Sequence, residues 1–447
     1  MEKSIISSRV QIQARWLVLI MMGGVIILMS YFVNSISPLK EELNEYLMAN
    51  SYDFSFIVAS YSLPSLVFLM GFFGGMFLDR FDLKITIILF GSIMLIGAFV
   101  AAYALTEHFN DGGVVYNFFN SFWSSCGPAV KLMALGFFIF GIGTQAIRVS
   151  VTKIISFWFD KHEISTALAL RSIFTKVGIA IALIISPIVF DIAEWQLPLW
   201  FGFGVTFLSV LLLIYYLVFK AKRDMPVSLK KSKKKFKFKD IGKLFKSTSF
   251  LLIFFGQLLF SATVSTFTIF GADLMQHHFD VSVINSGTYV SIFLLSIAIL
   301  APLLAFYLDK RKSVGKFLIH GSLVIFFSFI ILFFKLVHPI FSLFLIALGC
   351  ALLSSSMLPI VPKTVDSEYQ GSAFGALNTG RNIGVWSITL FIGFLLKYFN
   401  PMSESSAEGD KVSLDYSMPI LGWIVLTFIL FVISFLLHRV VKKRKLS

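Results

Sequence analysis

The sequence predicts an all-α membrane protein of about twelve transmembrane helices, built as two pseudo-twofold-related six-helix bundles. Three observations predict it. Of the 447 residues, 57% are hydrophobic and 14% charged, with a mean hydropathy of +0.86; a water-soluble core cannot bury so much apolar surface. Stretches of roughly 20 apolar residues, enough to cross hydrocarbon, recur about twelve times. Two blocks repeat between the halves. Gly75-Met76-Phe77-Leu78-Asp79-Arg80 returns as Ala305-Phe306-Tyr307-Leu308-Asp309-Lys310, and at a constant offset of 206 Gly143 falls on Gly349 and Asp160 on Asp366. Duplication of a helical bundle explains both.

The spans follow in order. Residues 1–15 are basic and lead into an apolar run that is long and lacks a small-residue cleavage site, so a first span is expected rather than a leader. Spans are predicted near 15–37, 54–78, 85–106, 130–157, 165–190 and 197–219, and again near 248–272, 284–307, 317–335, 339–360, 371–396 and 417–437. The chain therefore divides into a bundle at 1–219, a basic linker at 220–247 and a bundle at 248–447. Prolines 64, 187, 302, 359 and 362 are expected to kink spans or mark their ends. Gly371, Gly375, Gly380 and Gly384 give the eleventh span a small face for close helix approach, with Gly178 at the matching point of the fifth.

Charge sets the orientation. With the N-terminus inside, 28 Lys and Arg fall on the inner side and five on the outer, the other five of the 38 lying within spans. This bias places both termini in the cytoplasm. The net charge of +14 is then mostly topology. The linker segment Lys235-Phe236-Lys237-Phe238-Lys239 suits an anionic membrane surface, which disfavours a nucleic-acid partner. Cys126 in an outer loop and Cys350 in a span are not expected to pair. The chain has no N-x-S/T acceptor, and with its many Phe, Ile and Lys it fits a bacterial inner membrane. Residues 107–129, with Tyr116, Phe118, Phe119, Phe122 and Trp123, suit a short helix in the outer interface or a docking surface for a protein partner.

On these residues the chain resembles the major facilitator superfamily. The 75–84 stretch is similar to its loop signature of glycine, three residues, aspartate and a basic residue. Phe73-Gly74-Gly75, Phe140-Gly141-Ile142-Gly143, Trp158-Phe159 with Glu163, and the 371–384 segment are most similar to the lysosomal dipeptide-transporter branch and its bacterial relatives. The resemblance implies two six-helix bundles and transport by alternating access. Four positions depart from the pattern: Asp82 replaces a second glycine, Phe137 an arginine of many members, Gln145 a glutamate of the dipeptide branch and Lys176 its arginine.

Gly75, Asp79 and Arg80, with Asp309 and Lys310 in the second copy, are read as a conformational latch. Each aspartate is expected to meet a helix N-terminus of the opposite half, near Gly371 and near Ile164-Ser165.

Substrate chemistry is expected from the charges inside the bilayer, Arg148, Lys153, Arg171, Lys176 and Arg381. All are basic, and no Asp or Glu lies inside the predicted spans to pair with them. Lys153 and Arg171 lie near the inner face, where long side chains reach headgroups. Arg148, Lys176 and Arg381 lie deeper, and each costs about 2.5–3.5 kcal/mol at a helix centre if it faces lipid. They are expected to face an aqueous cavity. Lys176 sits one residue from the repeat equivalent of Arg381, so one cation from each half flanks the pseudo-twofold axis, an arrangement for a carboxylate or phosphate. Tyr31, Asn34, Tyr61, Gln145 and Asn378 are the polar candidates at similar depth.

The expected function is a transporter of a small carboxylate-bearing solute, an anionic or zwitterionic organic anion or dipeptide, by uniport or anion exchange. Its alternatives are an exporter of lipophilic compounds and a non-transporting receptor or partner subunit. Asp53 and Asp273, at outer span ends, are the acids left to titrate, and both are expected to be silent when neutralised. The histidines form no metal-ligand spacing, and no nucleophile–base set, phosphate loop or cofactor motif occurs, so neither an enzyme nor a cofactor is expected.

Overall fold

The computed structural model describes residues 2–70, 77, 81, 83–159, 163–193, 197–222, 242, 244–311, 314–357, 360–361, 365, 370–400 and 414–443. Among them the regular structure is helical: α1 (Glu2–Asn34), a 3-10 turn (Ser37–Leu39), α2 (Lys40–Leu47), α3 (Ser51–Ser60), α4 (Leu63–Val67), α5 (Leu83–Tyr103), α6 (Glu107–Asn110), α7 (Val114–Asn120), α8 (Pro128–Trp158), α9 (Ile164–Ala193), α10 (Leu197–Lys222), α11 (Thr248–Phe279), α12 (Val283–Arg311), α13 (Val314–Phe333), α14 (Pro339–Met357), α15 (Gln370–Phe399) and α16 (Ser417–Lys443). Eleven described segments are long and apolar enough to cross a membrane.

Within the expected span at 54–78, of which residues 71–76 and 78 lie outside the described residues, the helix is interrupted before Pro64. Pro64 lacks the N–H that the Ser60 carbonyl would accept in a continuous helix. The chain instead turns at Tyr61 and Ser62, whose N–H groups reach back to Val58 and Ala59, and restarts as α4 with proline in its first turn. Gly141 of α8 packs directly on the Tyr61 carbonyl, so the break has a fixed place against its neighbour. The expected latch residues Gly75, Asp79 and Arg80 lie outside the described residues, as do the side chains of Asp309 and Lys310, Asp82, and the linker residues Lys235 to Lys239.

The duplication is visible in the packing. A methyl group at Gly178 of α9 would collide with the Ile27 backbone of α1, and one at Gly384 of α15 with the Leu258 carbonyl of α11. Gly143 of α8 closes on Phe90 and Met94 of α5, while Gly349 of α14 closes on Gly321 and Ile325 of α13. Both glycine pairs keep the 206-residue offset, so each half uses the same two backbone-to-backbone contacts to assemble its bundle. Lipid removes most of the hydrophobic drive between helices, which leaves close packing of this kind to hold them.

The bundles meet across two further contacts of the same type. Gly287 of α12 lies against the Leu183 carbonyl of α9, and Ser291 Oγ donates to Ala180 O at 3.0 Å. Gly393 of α15 lies against Ser51 and Ser55 of α3, beside an edge-on Phe54–Phe270 ring contact. Outward faces such as Ile299, Leu303 and Phe306 of α12 stay exposed, as lipid-facing surface does. Buried Trp423 of α16 satisfies its indole N–H on Thr266 Oγ1 at 2.9 Å.

Gly178→Leu and Gly384→Leu are each expected to destabilise the detergent-solubilised protein by about 1–3 kcal/mol through overpacking. Gly204→Ala, where nothing lies within 4 Å, is expected to leave the thermal midpoint unchanged or raise it.

Candidate functional site

Three helices carry basic residues into the middle of the molecule. Arg148 lies on α8, Arg171 and Lys176 on α9, and Arg381 on α15, so the two bundles both contribute. Arg381 is in electrostatic reach of Arg148, Arg171 and Lys176, and Arg148 of Arg171. No Asp or Glu forms an ion pair with any of the four among the described residues. Among the described residues Lys176 Nζ bonds to the Ser172 hydroxyl at 3.4 Å, on its own helix. The Nε atoms of Arg148 and Arg171 are buried with no protein partner among the described residues. Arg381 is exposed although it lies mid-helix in a membrane-spanning segment. A mid-bilayer guanidinium of this kind must face water rather than lipid.

The polar candidates divide. Tyr61, at the turn before α4, lies in electrostatic reach of Arg381, and its hydroxyl is buried without a partner among the described residues. Tyr31 is buried, with a hydroxyl unpartnered among the described residues and an edge-on contact to Phe201. Gln145 is buried on α8 one turn before Arg148, and Asn378 is half-buried on α15 one turn before Arg381. Asn34 instead donates to Ser30 O of its own helix at 2.8 Å. Arg171, expected near the headgroups, stands with the central cations. Its signal in the sequence was that of the other four, a basic residue inside a predicted span. Cys350, buried on α14, sits beside Lys176 across the bundle interface.

A second charged group has no counterpart in the expectations. At the end of the molecule opposite the two termini, Lys40 Nζ pairs with Asp273 Oδ2 at 2.6 Å, the side chains being 0% and 1% exposed. The Tyr416 hydroxyl donates to the same oxygen; burial beside that carboxylate pushes its pKa up, so the phenol stays protonated. His277 Nδ1 accepts from the Leu414 N–H at 3.2 Å. That bond puts the ring proton on Nε2, which faces Glu41 Oε1 at 2.7 Å. Gln276 adds a bond to Pro38 O at 3.2 Å. These contacts join the first bundle to the second and close this end. Asp273 is therefore half of a buried pair rather than a free titrating acid, and its neutralisation is not expected to be silent. Asp53 caps α3 through a reciprocal bond with Asn50.

The branch-like residues near Trp158 form a clip at the other end. Glu163 takes a two-pronged ion pair from Arg15 at 2.6 and 3.1 Å, Phe159 packs under Arg15 and Trp16, and Trp158 Nε1 donates to the Tyr216 hydroxyl at 3.1 Å. In the 107–129 segment α6 and α7 leave Val114, Phe118, Phe122 and Trp123 exposed. Lys131 anchors it on the Phe119 and Phe122 carbonyls. Burial raises the Cys126 thiol to about 12, with Asp53 nearby adding to the shift, so it is unreactive at neutral pH. Among the described residues no His, Cys, Asp and Glu cluster has metal-site geometry.

Removing one member of a buried pair strands the other charge at a cost of about 3–5 kcal/mol. Lys40→Met and Asp273→Leu are each expected to lower the thermal midpoint strongly, and the double variant to recover most of the loss; additive losses would mean the two charges are not coupled.

Residues 19–387 match the Major Facilitator Superfamily. The chain is 24% identical over 384 residues to the lysosomal dipeptide transporter MFSD1 of Bos taurus, covering 82% of this chain and 76% of that protein. The Homo sapiens protein of the same name is 24% identical over 381 residues, covering 82% and 77%. Among solved structures, a mutant of the nucleoside transporter NupG superposes with a TM-score of 0.71 at 15% identity, covering 94% of this chain and 99% of that one. A bacterial homolog to the human lysosomal transporter Spinster, inward-facing and unoccupied, gives 0.70 at 14% identity, covering 95% and 97%. At such identities the likeness is one of fold.

Proposed function

The chain belongs to the major facilitator superfamily, and we propose that it moves a small carboxylate-bearing solute, an organic anion or a dipeptide, across the membrane by alternating access. The observation that carries this reading is the set of unpaired cations shared between the bundles. A guanidinium fork on Arg381 and a point charge on Lys176 fit a carboxylate, and binding would relieve their mutual repulsion. Arg148 adds a third donor, and the unpartnered hydroxyls of Tyr61 and Tyr31 offer neutral ones. Gln145 and Asn378, each one turn from a cation, complete the proposed set. The relatives named as dipeptide transporters support a peptide-like carboxylate.

In this reading the Lys40–Asp273 end is the gate closed in the structure, and Asp79 and Asp309 with their basic neighbours latch the opposite end when it closes in turn. The charge bias places the termini and the 220–247 linker in the cytoplasm, so the closed gate faces outward, consistent with a bacterial inner membrane. Proton coupling needs a titratable group in the path. Among the described residues no carboxylate accompanies the central cations, which favours uniport or anion exchange. The exposed aromatic residues of 107–129 are read as lying in the membrane interface.

A ligand that binds only the folded state at a hundred times its Kd stabilises it by about 2.7 kcal/mol. Small carboxylates or dipeptides are expected to raise the thermal midpoint of the wild type, to have a smaller effect on Lys176→Ala and to have none on Arg381→Ala. Stabilisation by lipophilic cations alone would contradict the reading and favour an exporter.

A further inference from the structure

The anion reading concerns one carboxylate, yet the centre holds four basic side chains. Arg148 and Arg171 present buried, unpartnered Nε atoms, Arg381 is exposed mid-helix between the bundles, and Lys176 has one weak hydroxyl contact. None has an acidic partner among the described residues. A monocarboxylate would leave most of this charge uncompensated, and a zwitterionic dipeptide would change the net charge by nothing. In a region of low dielectric, like charges at this spacing repel strongly, so occupancy by a solute of higher valence gains most.

The arrangement also has two ends. Arg171 and Lys176 stand five residues apart on α9, about 7.5 Å along the helix axis. Arg381 of the facing bundle is in electrostatic reach of both, and Arg148 is in electrostatic reach of Arg171 and Arg381. We propose that the preferred solute is a compact dianion, one anionic group held by Arg148, Arg171 and Arg381 and the other by Lys176 with Arg381. A short dicarboxylate and a short carboxylate bearing a phosphate or phosphonate share that chemistry. The inference rests on the anion reading and narrows it.

The test compares isosteric probes on the purified full-length protein by calorimetric titration and thermal shift. Succinate and 3-phosphonopropionate are each set against butyrate, and alanyl-alanine serves as the zwitterion. Succinate or 3-phosphonopropionate is expected to bind at least tenfold more tightly than butyrate and alanyl-alanine, and whichever of the two prevails identifies the second group as carboxylate or phosphonate. Lys176→Gln is expected to abolish the succinate-over-butyrate preference while retaining butyrate binding. Arg171→Gln, read in the same way, weakens the dianion more than the monoanion. Equal binding of succinate and butyrate, both lost in Arg381→Ala, would overturn the dianion inference and leave the anion reading standing. Absence of binding by any of these anions to folded wild-type protein would overturn both.

Discussion

A charge inside a bilayer must be either paired or wet, and that constraint sorts the interior of this protein. Lys40 and Asp273 satisfy it by pairing: both are sealed from solvent, held at 2.6 Å and supported by Tyr416. Arg148, Arg171, Lys176 and Arg381 have no carboxylate partner among the described residues, and Arg381 is exposed in the middle of its helix; in the proposed reading they satisfy it by facing water. Paired charges lie where the bundles touch and the unpaired ones where they must not. The same requirement thus separates a closed end from a site, and the site follows from what the closed end leaves open.

Small residues set how closely the helices of each bundle approach. Each bundle is assembled by glycines set directly against backbone, Gly178 on Ile27 and Gly384 on Leu258, contacts that tolerate no added methyl and so keep each half rigid. The junction between halves also uses small residues, Gly287 and Gly393, but its polar component is concentrated in a few side chains around Lys40, Asp273 and His277. Rigid halves joined by a localised ionic contact are what rocking about a central site requires. The Arg15–Glu163 clip lies within the first bundle, tying α1 to the start of α9, and would travel with it.

The helices were largely legible because crossing hydrocarbon imposes a length and a composition on each one. The duplication was legible because glycines at close contacts cannot drift, and Gly143, Gly178, Gly349 and Gly384 all keep their offset. Pro64 foretold a disturbance in the second span; the turn at Tyr61 and Ser62 keeps a right-handed backbone, and Gly141 of α8 admits it. The central cations were legible by elimination, since apolar spans make every charge conspicuous. Arg171 was harder to place because a long side chain near a helix end can point to either headgroup or cavity. Lys40–Asp273 was not legible: 233 residues separate the two, each reads as an ordinary charge at a span end, and only the meeting of the bundles makes them partners. Asn34 turned back to its own helix, a choice open to any mid-helix amide.

The central claim is that the unpaired cations line a water-filled, positively charged cavity. It is tested most directly by placing a thiol there, Asn378→Cys in a chain carrying Cys126→Ser and Cys350→Ser, and timing its reaction with sulfonate-bearing and trimethylammonium-bearing methanethiosulfonates. The account predicts that the anionic reagent reacts faster than the cationic one by about tenfold or more, with the difference collapsing at high salt and in Arg381→Gln. Equal rates for the two reagents, or no reaction with either in the folded protein, would contradict it.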